Sequence, residues 1–193
     1  MGLHALAATD GVWLAISDIG GVTAEEINVV SLGDVLDTTT VENFGWGRNA
    51  DGMAREGTFH VAPGTPSAPD EPAAIGVAPQ PEPGFRQPFA QFGREEATRV
   101  AITGPVVSRR SFTSITALFG DLDSGSVYAT TRADFDRLNP VRHVTLVTTS
   151  LQPTTLSTLA GGRPDPRFFV FPDGTAGVLL EATGTFYSLK QLR

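Results

Sequence analysis

Residues 167–182 read RFFVFPDGTAGVLLEA, and this stretch decides the fold class. Two apolar runs flank Pro172, Asp173, Gly174 and Thr175. In such a turn proline presets φ, aspartate bonds backbone amides two residues on, and glycine accepts a positive φ. The pattern predicts a β-hairpin. A second turn at Thr183 and Gly184 leads into TFYSL at 185–189, a third strand. Upstream the same β-branched and aromatic composition recurs in VRHVTLVTT (141–149), SVYATT (126–131), SFTSITALF (111–119) and TRVAITGPVV (98–107). Residues 98–189 therefore predict an antiparallel meander. Gly104 and Pro105 interrupt the first of these runs and predict a bulge or an edge position, because proline cannot complete a central ladder. Residues 151–166, rich in Thr, Gly and Pro, predict a loop. One short helix is expected, near Arg132 to Leu138, where Phe135 and Leu138 stand three apart and Pro140 follows as a stop.

The N-terminal half is less regular. GVWLAIS (11–17) has strand composition, and VTAEEINVVS (22–31) follows the Gly20-Gly21 turn. In that second segment Ile27, Val29 and Val30 favour a strand from Ile27, against a short helix capped by Thr23, for which Thr23 and Glu26 have the capping-box spacing. Residues 33–56, with GWGRNADG at 45–52, predict a long loop, and GTFHVA (57–62) a short strand. Residues 63–88 then hold Pro63, Pro66, Pro69, Pro72, Pro79, Pro81, Pro83 and Pro88, eight of the chain's 14 prolines. Prolines this dense exclude helix and central strand and favour an extended arm. The expected architecture is mainly β: one domain over residues 1–193, a small antiparallel β-sandwich or barrel, with one short helix, the loop at 33–56 and the Pro-rich arm at 63–88. The arm and the loop together are expected to be interaction segments, since long stretches without a core of their own are held by contacts.

Composition narrows the function. With no cysteine, there is no disulfide framework, thiol nucleophile or thiolate metal site. No apolar run approaches the ~20 residues that a membrane helix needs. Residues 1–10 (MGLHALAATD) lack a basic flank and a long apolar stretch, so synthesis in the cytoplasm without export is expected. A net charge of −7 opposes a surface that grips nucleic-acid phosphates, yet suits a wall along which DNA slides. No fixed-period repeat or heptad pattern is present.

Few motifs carry chemistry. Asp123-Ser124-Gly125-Ser126 has the Asp-Ser/Thr-Gly form of an aspartic protease, which needs two carboxylates sharing a proton. One chain offers only Asp123, so the enzyme would have to be a homodimer; the alternative is a β-turn in which Asp and Ser bond local amides. Asp121, Asp123 and Gly125 also form half of a calcium loop, but Arg132 stands where the bidentate Glu belongs. His4, His60 and His143 have no metal-ligand spacing. Gly20-Gly21 and Gly161-Gly162 lack the phosphate-loop pattern. Arg109, Arg110 and Arg163 are too few for a nucleic-acid patch, though they could make a subunit salt bridge, and Trp13 and Trp46 suit packing or an interface. No catalytic, cofactor-binding or metal residue is assigned, and no cofactor is expected.

Residues 16–64 (ISDIGGVTAEEINVVSLGDVLDTTTVENFGWGRNADGMAREGTFHVAPG) resemble the N-terminal part of long-tailed phage tail tube proteins. The likeness lies in the order of features. Val22, Thr23, Ala24 and Glu25 enter a strand, an acidic and Thr-rich excursion follows, and a Gly-rich stretch leads into the strand at 58–61. The Pro-rich arm departs from the simplest members, and the C-terminal meander matches only in being β. The resemblance implies a virion location and a β-sandwich with a helix that closes into rings, hexameric in the family, and stacks into a tube around the DNA path. It implies partners that are other copies and other virion proteins, with tail terminators, connectors and decoration subunits as related possibilities. A stand-alone β-sandwich binding module and the Asp123 protease are the competing classes.

Overall fold

The computed structural model describes residues 2–8, 11–19, 24–39, 44, 47–48, 54–56, 60–61, 86, 88–93, 101–106, 117–130, 139 and 141–192. The chain is mainly β, as expected. In chain order the elements are β1 (Gly2–Ala8), β2 (Gly11–Asp18), β3 (Ala24–Ser31), α1 (Leu32–Leu36), β4 (Gly47–Arg48), β5 (Ala54–Glu56), β6 (His60–Val61), β7 (Ala90–Gly93), β8 (Ile102–Val106) and β9 (Ala117–Asp121). They continue with β10 (Val127–Thr130), β11 (Val141–His143), β12 (Leu146–Val147), β13 (Pro153–Thr154), α2 (Leu156–Ala160), β14 (Pro166–Val170), β15 (Ala176–Leu180) and β16 (Thr185–Leu189).

Three sheets build the body. The first has the order β1-β2-β3-β7, the second β11-β10-β9-β8 and the third β14-β15-β16, while β4-β5-β6 and β12-β13 form two small sheets. None closes into a barrel among the described residues. The second sheet is the middle layer. On one side Phe119 and Ala117 of β9, Tyr128 of β10 and Ile102 of β8 pack with Ala15, Ile27, Val29 and Ala90 of the first sheet. On the other, Leu118, Val127 and Ala129 pack with Phe168, Ala176, Val178 and Leu180 of the third sheet and with Leu156 of α2. Successive side chains on a strand face opposite ways. A strand covered on both faces therefore reads as a continuous apolar run, and β9 and β10 are buried along their whole length.

The proline interruption in β8 is an edge and a bulge at once. β8 ends the sheet order, and its register to β9 shifts between Thr103 and Val106. One extra residue inverts the alternation, so Ile102 packs toward the first sheet while Val106 packs toward the third. Gly104 lies at φ 105 there, and a Cβ would stand 3.2 Å from the Cα of Phe119. No other residue type fits that position easily.

Several expectations need correction. β3 starts at Ala24, three residues before Ile27. Glu26, the partner of Thr23 in the helix that was the alternative here, is buried in the sheet together with Glu25, and Glu25 Oε2 accepts a hydrogen bond from the Ile102 amide at 3.1 Å. Residues 33–56, expected as loop, hold α1, β4 and β5. Ser31 caps α1 by accepting from the Asp34 amide at 3.0 Å; Leu32, Val35 and Leu36 stand at helical spacing, but the element is a single turn that buries none of its residues, with Val35 and Leu36 49% and 70% exposed. Residues 151–166, also expected as loop, hold β13 and α2. Thr155 caps α2 and Gly161, left-handed at φ 72, ends it. Leu156, Leu159 and Ala160 pack on the core at helical spacing, but the element is a single turn set among Thr, Gly and Pro, which read as loop. β1 was not expected at all, because GLHALAA has no β-branched residue; it forms by pairing with β2 from Gly2 to Ala8. The expected helix at 131–138 and nearly all of the Pro-rich arm lie outside the described residues, as do 57–59 and 62 of the expected strand at 57–62.

Candidate functional site

Asp123, the residue singled out by its motif, sits in a turn that its neighbour Asp121 organises. Asp121 ends β9 and is 1% exposed. Its Oδ1 accepts from the Asp123 amide at 2.9 Å and the Ala101 amide at 3.2 Å, and its Oδ2 accepts from the Ser124 hydroxyl at 2.6 Å and the Ser124 amide at 3.3 Å. One carboxylate thus ties the turn to the start of β8. The Ser157 hydroxyl of α2 donates to the Ser124 carbonyl from the other side. Asp123 itself points outward, with its carboxylate half exposed and 3.8 Å from Arg163 Nε. Arg163, expected as a subunit salt-bridge candidate, pairs within the chain, with Asp165 at 3.0 Å.

Among the described residues, the histidines singled out lie on three separate strands. His4 lies on β1 opposite Ala15, His60 on β6 opposite Glu56, and His143 on β11 opposite Tyr128. The His143 ring meets Tyr128 edge-on at 4.6 Å. Trp13 packs against the core between the first two sheets. Trp46, Arg109, Arg110 and Arg132 lie outside the described residues. Among the described residues no group of three His, Cys, Asp or Glu is placed to hold a metal ion.

Reading motifs overlooked two features. On the first sheet, Glu26 is in register with Asp18 on β2 and Gln91 on β7, and Asn28 Nδ2 donates to Asp18 Oδ2 at 3.4 Å. Glu26, Asn28 and Gln91 are buried, so this row is a polar layer within the sheet.

The second feature is an aromatic surface on the third sheet. The register sets Phe169 beside Gly177 and Ser188, and Arg167 beside Leu179 and Phe186. Phe168, Val178 and Tyr187, one position off, face the core. The outer face therefore carries Phe169, Leu179 and Phe186, with Phe171 continuing it past the end of β14. Phe169 meets Phe171 at 4.7 Å and Phe186 at 5.8 Å, both edge-to-face. Gly177 is the floor: a Cβ there would stand 2.6 Å from the Phe171 ring and 2.7 Å from that of Phe169, so only glycine lets the rings lie down. Phe186 remains 62% exposed. Arg167 borders the face and pairs with Glu181 at 3.0 Å. The chain matches no protein-family model, no curated protein and no solved structure. Its chemistry must be read from this geometry. Three phenylalanines gathered on the outer face of a sheet supply apolar area and ring edges at small entropic cost. Aromatic residues were legible in RFFVF and TFYSL, but nothing local said which of them face outward.

Proposed function

We propose that this protein is a non-enzymatic structural subunit that self-assembles, as part of a phage tail tube or a related virion part. The observation that carries the proposal is the aromatic cluster on the outer face of the third sheet, in which Phe186 is exposed and Phe169 and Phe171 are half-buried. A sheet face of this kind is stabilised when another protein surface covers it. The order of features in residues 16–64 and the acidic net charge of −7 support the virion setting, where an acidic wall passes DNA without holding it.

The test is the size of the purified chain by light scattering and negative-stain imaging. Rings, tubes or other oligomers are expected. Phe171→Asp, at the margin of the face, is expected to weaken assembly by at least about tenfold while costing the monomer only about 1–2 kcal/mol of its own stability. Deleting residues 66–86 is likewise expected to impair assembly and leave a cooperative melting transition. A monomer at high concentration would instead favour a stand-alone binding module that uses the same aromatic face for a different protein.

A further inference from the structure

We infer that the open edge of β16 is a homodimer interface, in which two copies pair their β16 strands antiparallel about a two-fold axis at Tyr187. The inference rests on the assembly role proposed above and names its first contact. It starts from hydrogen-bond alternation. The Phe171 amide donates to the Thr175 carbonyl at 2.8 Å, so that pair is a hydrogen-bonded one. Bonded and non-bonded pairs alternate along an antiparallel ladder. Gly177 and Leu179 therefore bond to β14, while Ala176, Val178 and Leu180 turn toward β16, where they oppose Leu189, Tyr187 and Thr185. It follows that Phe186 and Ser188 direct their amides and carbonyls away from β15. Among the described residues β16 pairs with β15 alone.

Exposed edges ordinarily carry a proline, an inward charge or a bulge that blocks pairing. The TFYSL sequence of β16 has no proline and no charge, and its register to β15 runs without a shift. The opposite edge of the same sheet is engaged: Thr103 Oγ1 of β8 donates to the Pro166 carbonyl of β14 at 3.0 Å. β8, the edge of the middle sheet, carries Pro105 and a bulge. β16 is thus an unguarded edge beside the aromatic face.

A second copy fits this edge in detail. With the axis at Tyr187, Phe186 lies opposite the partner subunit's Ser188, and Ser188 opposite the partner subunit's Phe186. All four outward amides and carbonyls on each side then meet as two hydrogen-bonded pairs. The two Phe186 side chains become diagonal neighbours on the outer face, about 7–8 Å apart and within aromatic reach. No like charges face one another. Exposed Lys190 falls opposite the partner subunit's Gly184, which carries no charge. Two three-stranded sheets become one of six, and their aromatic faces merge into a single surface.

The cysteine-free chain allows a register-specific test. At the axis a non-hydrogen-bonded pair has Cα atoms about 4.5 Å apart, within disulfide range. Tyr187→Cys is therefore expected to form a disulfide-linked dimer under mild oxidation at least about tenfold faster than Ser188→Cys, whose two copies lie diagonally, beyond about 7 Å. Ser188→Pro removes an outward amide and leaves the bonds to β15 intact. It is expected to raise the dimer dissociation constant in sedimentation equilibrium by at least about tenfold with its cooperative melting retained. Equal oxidation rates for the two cysteine variants, or an undiminished dimer in Ser188→Pro, would overturn the pairing. Rings or tubes that form without any β16 cross-link would overturn it while leaving the assembly role standing, and a chain monomeric at all concentrations would overturn both.

Discussion

Replacing Phe119 by alanine is expected to lower the stability of the folded chain by about 3–5 kcal/mol. Phe119 is fully buried in the middle sheet, stacked on Tyr128 with ring centroids 5.9 Å apart and 22° between the planes. It packs between the second sheet and Ile27, Val29 and Ala90 of the first. The bulged backbone at Gly104 comes against its Cα and Cβ, so the surroundings have little freedom to collapse into the space left by the ring. Loss of transfer energy and a persistent cavity therefore add. Phe186→Ala, at an exposed position, is the control and is expected to change stability by about 0.5–1 kcal/mol. Urea unfolding followed by tryptophan fluorescence checks both, since Trp13 packs against the same core. Equal effects of the two substitutions would mean that the first and second sheets do not share a core.

Asp121→Ala is expected to cost about 2–4 kcal/mol, because it removes the acceptor for three amides and one hydroxyl around a buried turn. Asp121→Asn, which keeps one acceptor oxygen, should fall between that value and the wild type. Asp123→Asn should stay within about 0.5 kcal/mol, since its side chain is half exposed and its cationic neighbour Arg163 is solvated. The same variant addresses the competing enzyme class. In a dimeric aspartic protease Asp123→Asn would break the shared-proton dyad and abolish peptide cleavage at acid pH. The expected result is that the wild-type chain cleaves no peptide at acid pH, measured with a fluorogenic peptide at high protein concentration. Cleavage that disappears in Asp123→Asn would replace the structural role with a catalytic one.

The β class and most of the C-terminal meander were legible in the residues alone. Pro172-Asp173-Gly174 is turn chemistry whatever surrounds it, and β14, β15 and β16 lie where their apolar runs are. Gly104-Pro105 foretold an interrupted ladder for a local reason, the missing amide of proline. The apolar continuity of ALFG and VYAT also held the information that β9 and β10 are covered on both faces. What was not legible depended on partners distant in the chain. Gly2–Ala8 is a strand because β2 pairs with it, not because its residues favour one. Glu25 and Glu26 are buried because β7 and the Ile102 amide receive them. Within RFFVF the three phenylalanines look alike, yet a strand slipped by one residue would exchange its faces. The registry of β14 on β15, and the core waiting on one side, send Phe168 inward and leave Phe169 and Phe171 outside. The outer aromatic face is therefore a tertiary property: it exists only because the other face of the third sheet packs on the middle sheet.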